Sequence, residues 1–199
     1  MNFIEFYFFR NQDLGTTIPE NSQFFVIKSF SEEDVHKSIK YNLWSSTKNG
    51  NQALDTAFKT TAENGGYVYL FFSCNGSGRF SGIARMKGEV QNDKIFPYWT
   101  QDSKWTGIFE IEWLLIKDVP FREFKDIIIT MKDGEVKCVS ISRDTQEIPM
   151  EEGKTMLQKF SSYLNSNTIL EHFEYYDQRQ EQYEKSSTGT TVAFEAPKN

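Results

Sequence analysis

A central block of short apolar runs, separated by tight turns, limits what this chain can fold into. The runs YVYLFFSC (67–74) and RFSGIARM (79–86) are rich in aromatic and branched residues and flank the turn NGSG, a pattern typical of an antiparallel hairpin. IFEIEWLLIKDV (108–119) alternates at first and then becomes continuously apolar, as a strand entering a core does. The remaining predicted strands are FFVIK (24–28), DIIIT (126–130) and VKCVSIS (136–142). About six strands are therefore expected.

Helical spacing of apolar residues appears on both sides of this block. Ser31 followed by Asp34 has the form of a capping box, which predicts a helix that starts near residue 32. The expected helices run over 32–40, 52–62, a segment around 156–163, and 168–185. We therefore expect a single α/β domain with a mixed six-stranded, barrel-like sheet framed by about four helices.

The boundaries follow from length and composition. A chain of 199 residues suits one domain with a full core. We expect an N-terminal flank at 1–22, the domain at 23–186 and a disordered tail at 187–199, where no period is visible. The apolar run FIEFYFF carries Glu5 and is far shorter than a membrane span, so neither a signal peptide nor a membrane helix is expected.

Charge and cysteine content restrict the chemistry. The net charge of −6 disfavours binding to nucleic acid by electrostatics alone, although residues 24–150 are nearly balanced, with 16 basic and 17 acidic residues. Two cysteines, Cys74 and Cys138, make a disulfide framework or a cysteine zinc site improbable and fit a reducing compartment. No metal and no cofactor are expected.

Motifs for catalysis are weak. His36 and His172 have no acid or cysteine at a spacing that defines a known site, and the glycines of NGSG lack the lysine and the helix of a phosphate-binding loop. Glu110 and Glu112 point to one side of a strand, which suits either solvent or a catalytic acid pair. An enzyme that acts on a modified base stays open as the least favoured alternative.

Three tryptophans stand outside the apolar runs. Trp44 lies in YNLWSST, and Trp99 and Trp105 lie in the polar segment PYWTQDSKWTG, whereas Trp113 sits inside a strand and is expected in the core. Large rings in polar loops are unfavourable unless something covers them. Their spacing alone leaves two explanations open, a bound ligand and ordinary loop packing.

Longer strings carry a resemblance to a known family. FFVIKSFSEEDVHKSIKYNLWSST, VYLFFSCNGSGRFSGIARM, YWTQDSKWTGIFEIEWLLIKDVP and SRDTQEIP resemble, in order and spacing, the YTH domain, a family of N6-methyladenosine readers, over about residues 23–180. The SRDTQE string together with the paired tryptophan loop is most similar to the cytoplasmic branch. The resemblance implies an RNA-binding domain without catalytic activity.

The resemblance also implies the site. Trp44 and Trp99 would sandwich the methylated adenine and Trp105 would form the floor, although the loop differs from the usual pattern by one residue, Ser103. The backbone carbonyl of Ser45 would accept the N6 hydrogen, so its side chain is expected to matter little. Base-edge contacts are implied for Phe30, Asp34, Ser45 and Asn75, and contacts to the RNA backbone for Lys28 and Arg143.

The functional expectation is a monomeric, cytoplasmic reader, with the nucleus as the second compartment, that binds N6-methyladenosine in single-stranded mRNA and influences its fate. Regions outside this chain would recruit decay or translation machinery. The alternative is a sequence-specific RNA-binding domain of the same fold that is indifferent to methylation.

Overall fold

The central block folds into a mixed six-stranded sheet, as the sequence predicts. The structure is a computed structural model that describes residues 18–101, 104–131, 133–164 and 167–186. Its strands are β1 (Gln23–Ser29), β2 (Leu43–Trp44), β3 (Val68–Cys74), β4 (Arg79–Met86), β5 (Phe109–Pro120), β6 (Ile128–Thr130), β7 (Val136–Cys138) and β8 (Gln146–Ile148).

Strand order in the sheet is β2-β5-β4-β3-β1-β8. β1 and β3 are parallel, and the pairs β3–β4, β4–β5, β2–β5 and β1–β8 are antiparallel. The expected hairpin is thus β3–β4. The expected strands 126–130 and 136–142 form instead a separate two-stranded ribbon, β6–β7, and the second of them ends in a short 3-10 turn at Val139–Ile141.

The helices frame the sheet as expected. They are α1 (Glu32–Tyr41), α2 (Lys48–Glu63), α3 (Met150–Ser162) and α4 (Phe173–Ser186). Helix α2 begins four residues earlier than the apolar spacing predicted, because the Thr47 side chain caps it by accepting the Gly50 N–H. The last predicted helix is divided into a 3-10 turn, Ile169–His172, and α4.

Both faces of the sheet are buried, and alternate residues of β1 show how. Phe25 and Ile27 belong to one apolar cluster, while Phe24 and Val26 belong to a second cluster on the opposite face. Burying one such side chain is worth about 1.5–3 kcal/mol. The first cluster contains all four tryptophans, so it is the face on which the candidate site lies.

Part of the predicted organisation stays a prediction. Residues 1–17 of the N-terminal flank and the tail at 187–199 lie outside the described residues. Within the described part of the chain, no helix is long and apolar enough to cross a lipid bilayer.

Close packing of α3 on β1 gives a test of the fold. A Cβ added at Gly153 would overlap the Phe24 ring, whereas one at Gly88 would meet nothing within 4 Å. Alanine normally favours a helix interior over glycine by about 1 kcal/mol. We expect Gly153→Ala to lower the free energy of unfolding by about 1–3 kcal/mol despite that preference.

Urea denaturation of Gly153→Ala beside Gly88→Ala measures this effect. A Gly153→Ala variant as stable as the wild type would show that α3 does not pack on β1 in this way.

Candidate nucleic-acid interface

A cleft opens where β1 ends and α1 begins. Ligands commonly bind beyond the carboxyl ends of parallel strands, and β1 and β3 both end on this side of the sheet. The cleft is narrow, with only about 10 Å³ of space that a water molecule could reach. Its lining comprises Lys28, Ser29, Phe30, Asp34, Trp44, Ser45, Trp99, Trp105 and Asp144.

The three tryptophans singled out from the sequence converge in this cleft. Trp44 is the second residue of β2, and Trp99 and Trp105 come from the connection between β4 and β5. They are 5 %, 5 % and 9 % exposed. Trp44 and Trp99 contact each other with ring centroids 5.2 Å apart, and Trp105 contacts Phe30 at 5.6 Å. Loop packing therefore explains part of their burial, and because the rings also line a cleft, a bound ligand stays a prediction.

The ring angles differ from the expected sandwich. Trp44 and Trp99 stand at 68° to each other, edge to face. A base between two parallel rings needs about 3.5 Å on each side, hence about 7 Å between the rings. In this structure Trp99 meets Trp44 edge to face and the two rings are in contact, so no gap as wide as a base lies between them.

The hydroxyl of Ser45 connects the two segments that carry the tryptophans. Its Oγ donates to the Gly107 carbonyl at 2.6 Å and accepts the Trp99 Nε1–H at 3.0 Å. Ser45 is 3 % exposed. The expectation that only its backbone carbonyl matters is therefore incomplete, because the side chain orients Trp99.

Asn51 supports the same junction and was not singled out from the sequence. Its Oδ1 accepts the Ser46 N–H at 2.8 Å, and its Nδ2 donates to the Thr106 carbonyl at 2.7 Å. It lies in α2, where a buried asparagine has no periodic signal. Asn51 thus holds the residue after Ser45 against the residue after Trp105.

Asp34 fixes the other end of the tryptophan loop. Its N–H is capped by Ser31 Oγ, as predicted, but its carboxylate accepts the Thr100 N–H at 2.9 Å and the Thr100 hydroxyl at 2.6 Å. The carboxylate therefore does not complete the capping box. Asp34 lines the cleft and at the same time holds the residue that follows Trp99.

Asp144 is a further cleft residue that sequence reasoning missed. Its Oδ1 accepts the Lys28 N–H at 2.9 Å, and its Oδ2 accepts the Ser46 hydroxyl at 2.7 Å. Burial raises the pKa of this carboxyl. The carboxylate joins the end of β1 to the segment after β2, a role that only tertiary proximity reveals.

Lys28 and Arg143, the two residues expected to contact the RNA backbone, differ in exposure: Lys28 is half-buried and Arg143 is exposed. The Lys28 ammonium donates to Ser73 Oγ at 3.4 Å and to the Ser140 carbonyl at 3.2 Å, and it lies 4.6 Å from the centroid of the Phe121 ring. Burial lowers the pKa of Lys28 to about 8. This ammonium has protein partners in the structure, and the contact of Lys28 with the RNA backbone stays a prediction.

Arg143 and Asn75 are exposed, by contrast. The Asn75 N–H donates to the Ser29 carbonyl at 2.9 Å, so Asn75 follows β3 directly beside the end of β1. Both residues border the region of the cleft without lining it.

The groups considered for catalysis have structural roles. Glu112 forms ion pairs with Arg85 at 2.6 Å and with Lys87 at 3.6 Å. Burial raises the pKa of the Cys74 thiol to about 11, so this thiol is a poor nucleophile near neutral pH. Among the residues that the structure describes, no group of three or more histidine, cysteine or acidic residues could hold a metal ion.

Comparison with known proteins gives one consistent family. The family model of the YT521-B-like (YTH) domain matches residues 22–161. The chain is 45% identical over 166 residues to YTH domain-containing family protein 2 of Homo sapiens, covering 83% of this chain and 28% of the relative. It is 47% identical over 163 residues to YTH domain-containing protein ECT4 of Arabidopsis thaliana, covering 81% and 26%. The chain thus spans about a quarter of the length of these relatives.

Solved structures agree with the sequence comparison. The YTH domain of Pho92, crystallised in complex with m6A, superposes with a TM-score of 0.72 at 37% identity and covers 79% of this chain and 97% of that one. The YTH domain of Zygosaccharomyces rouxii MRB1, in complex with N6-methyladenosine RNA, gives a TM-score of 0.66 at 37% identity and covers 77% and 95%.

The Ser45 hydroxyl gives a direct test of the site. Ser45→Ala leaves the Trp99 indole N–H and the Gly107 carbonyl without this partner in a buried position. We expect the free energy of unfolding to fall by about 1–3 kcal/mol.

The matched control is Ser162→Ala, an exposed serine whose loss should cost less than about 0.5 kcal/mol in the same denaturation experiment. Equal stability of the two variants would contradict the role of Ser45.

Proposed function

The chain belongs to the YTH domain family, and from this premise we propose that it binds N6-methyladenosine in single-stranded RNA. The observation that carries the proposal is the convergence of Trp44, Trp99 and Trp105 on one cleft. Single strands present bases that can be splayed out and stacked on aromatic side chains. A methylated adenine bound in this cleft would cover the rings of the loop tryptophans.

The ring geometry supports a specific arrangement of the cage. Because Trp99 is perpendicular to Trp44 and is held by Ser45, we assign Trp99 to the floor and Trp44 to one wall. Trp105, the most exposed of the three, becomes the opposite wall when the cleft opens. The base would then lie between Trp44 and Trp105 with its methyl group against Trp99.

The energetics fit a neutral ligand. Methyladenine carries no charge, so the cage acts by stacking and apolar burial. Stacking contributes about 1–3 kcal/mol per base and would also hold unmodified adenine. Burying one methyl group adds about 0.8 kcal/mol, so a preference above tenfold, or about 1.4 kcal/mol, requires the fit of the closed cage as well.

Polar groups around the cage would read the base and the strand. We assign the N6 hydrogen to the Ser45 carbonyl, and base-edge contacts to Asp34, Asn75 and the backbone of Phe30. Arg143 is exposed, and its side chain makes no hydrogen bond or ion pair with the residues that the structure describes, so its guanidinium is available to bind phosphate. Lys28 would take part only if its ammonium left Ser73 and Ser140.

The wider role follows from the family and not from the cleft. We propose that the chain reads RNA in the cytoplasm as a monomer and leaves the RNA chemically unchanged. Its influence on mRNA fate would come from decay or translation machinery recruited by regions outside this chain.

Paired RNAs test the proposal. Calorimetric titration with two short single-stranded RNAs that differ in one N6-methyl group, at fixed salt, should show a methyl preference above tenfold. Trp44→Leu should abolish the preference because the wall is lost.

Leucine is the better substitution because Trp44 also packs on Phe72 at 5.0 Å. Trp44→Ala would leave a core cavity and cost about 3–5 kcal/mol of stability. Equal binding of the two RNAs by the wild type would favour the methylation-indifferent alternative.

Asp34 gives a second prediction about the same cage. Its carboxylate would face the acceptor N1 of the base, which is unfavourable for two acceptors. Asparagine can still accept the Thr100 N–H and offers a donor. We therefore expect Asp34→Asn to tighten binding to the methylated RNA by about tenfold, or about 1.4 kcal/mol.

Asp133→Asn, an exposed carboxylate away from the cleft, is the control for the lost charge. Unchanged or weaker binding by Asp34→Asn would refute this orientation of the base.

A further inference from the structure

The ring of Phe30 stands apart from the other rings of the cleft. It is 49% exposed, whereas Trp44, Trp99 and Trp105 are at most 9% exposed. Among the residues that the structure describes, it is the one phenylalanine in the exposed class. The phenylalanine side chain has no polar atom that water could solvate. The resemblance to the YTH family implies an RNA contact for the backbone of this residue but none for its ring.

The position of Phe30 is fixed by its neighbours. It directly follows β1, lines the cleft, and packs on Trp105 with ring centroids 5.6 Å apart and planes at 45°. The ring therefore extends the wall formed by Trp105 out of the cleft and past its mouth.

A cation lies beside the Phe30 ring at the mouth of the cleft, which we call the rim. The Lys104 ammonium lies 4.2 Å from the centroid of the Phe30 ring and 5.6 Å from that of Trp105. Its residue is exposed, and a lysine stem is flexible enough to move the charge by several ångströms. The rim thus offers an aromatic face and a mobile positive charge side by side.

From this geometry we propose that Phe30 and Lys104 form a second subsite, which takes the nucleotide adjacent to the methylated adenosine. The inference rests on the proposed function, since the RNA chain must leave the cleft across its rim. The adjacent base stacks on the Phe30 ring in place of the ammonium, and Lys104 pairs with the phosphate that links the two nucleotides. A purine offers more ring surface than a pyrimidine, so the subsite favours a purine.

Three ligands separate this subsite from the cage. They are N6-methyladenosine 5′-monophosphate, a five-nucleotide RNA with purines beside a central methyladenosine, and the same RNA with abasic sites in place of those purines. Binding is measured for the wild type, Phe30→Leu, Phe30→Tyr and the control Tyr175→Leu, an exposed ring on α4. Binding of the mononucleotide, which we expect to be weak, is measured by NMR chemical-shift titration.

For the purine RNA we expect Phe30→Leu to lose about tenfold in affinity, within the range for base–aromatic stacking. Phe30→Tyr and Tyr175→Leu should bind like the wild type. On the mononucleotide and on the abasic RNA, Phe30→Leu should match the wild type within about twofold, because these ligands have no base to stack there.

Lys104→Gln tests the cation. The slope of log affinity against log salt concentration should become shallower by about 0.7, the value for one phosphate on a single strand. An unchanged slope would remove Lys104 from the subsite.

Two results would overturn the role of Phe30. An equal loss on the mononucleotide would show that Phe30 acts only by supporting Trp105, and no loss on the purine RNA would show that the ring is not used. Failure of the proposed function appears separately, as a wild type without methyl preference. If the wild type bound RNA without methyl preference and Phe30→Leu still lowered the affinity, only the stacking role of Phe30 would be supported.

Discussion

One buried hydroxyl, that of Ser45, joins the two parts of the chain that supply the tryptophans. Trp44 precedes it in β2, and Trp99 donates its indole N–H to it from a loop more than fifty residues away. Around it, the side chains of Asn51, Asp144 and Asp34 bind backbone groups of neighbouring loops. These hydrogen bonds are buried or partly buried, and leaving a buried one unmade costs about 1–3 kcal/mol. The aromatic cleft therefore depends on polar groups that do not themselves stack on anything.

The packing of the rings in the cleft shapes its proposed selectivity. A base that enters between Trp44 and Trp105 must replace ring contacts of Trp105, such as that with Phe30, and contacts of this kind are worth about 0.5–1.5 kcal/mol. Stacking on both walls contributes about 1–3 kcal/mol per base. The two quantities are close enough that a methyl group and a well-fitted floor can decide the balance. The hydrogen bonds of Ser45 and Asp34 hold the Trp99 indole and the adjacent Thr100, so we expect Trp105 to be the ring that moves when a base enters.

Sequence patterns predicted the hairpin β3–β4, the start of α1 and the convergence of three tryptophans, because each carries a local or family signal. β2 and β8 have two and three residues, too few for any period to be visible. Asp144 and Asn51 were missed since their roles depend on contacts between distant segments. Strand alternation puts the Lys28 side chain on the side of Phe24 and Val26, although Lys28 also lines the cleft, so its contact with the RNA backbone stays a prediction. The edge-to-face packing of Trp44 on Trp99 depends on tertiary contacts, which no sequence pattern predicts.

The most direct test of the cage is the NMR spectrum of the indole N–H groups during titration with methylated RNA. The chain has four tryptophans, so each signal can be assigned by a single substitution. We expect the signals of Trp44, Trp99 and Trp105 to shift on binding, while that of Trp113, which is 1% exposed in the core, stays in place. Binding of the RNA with all four signals unchanged would contradict this expectation.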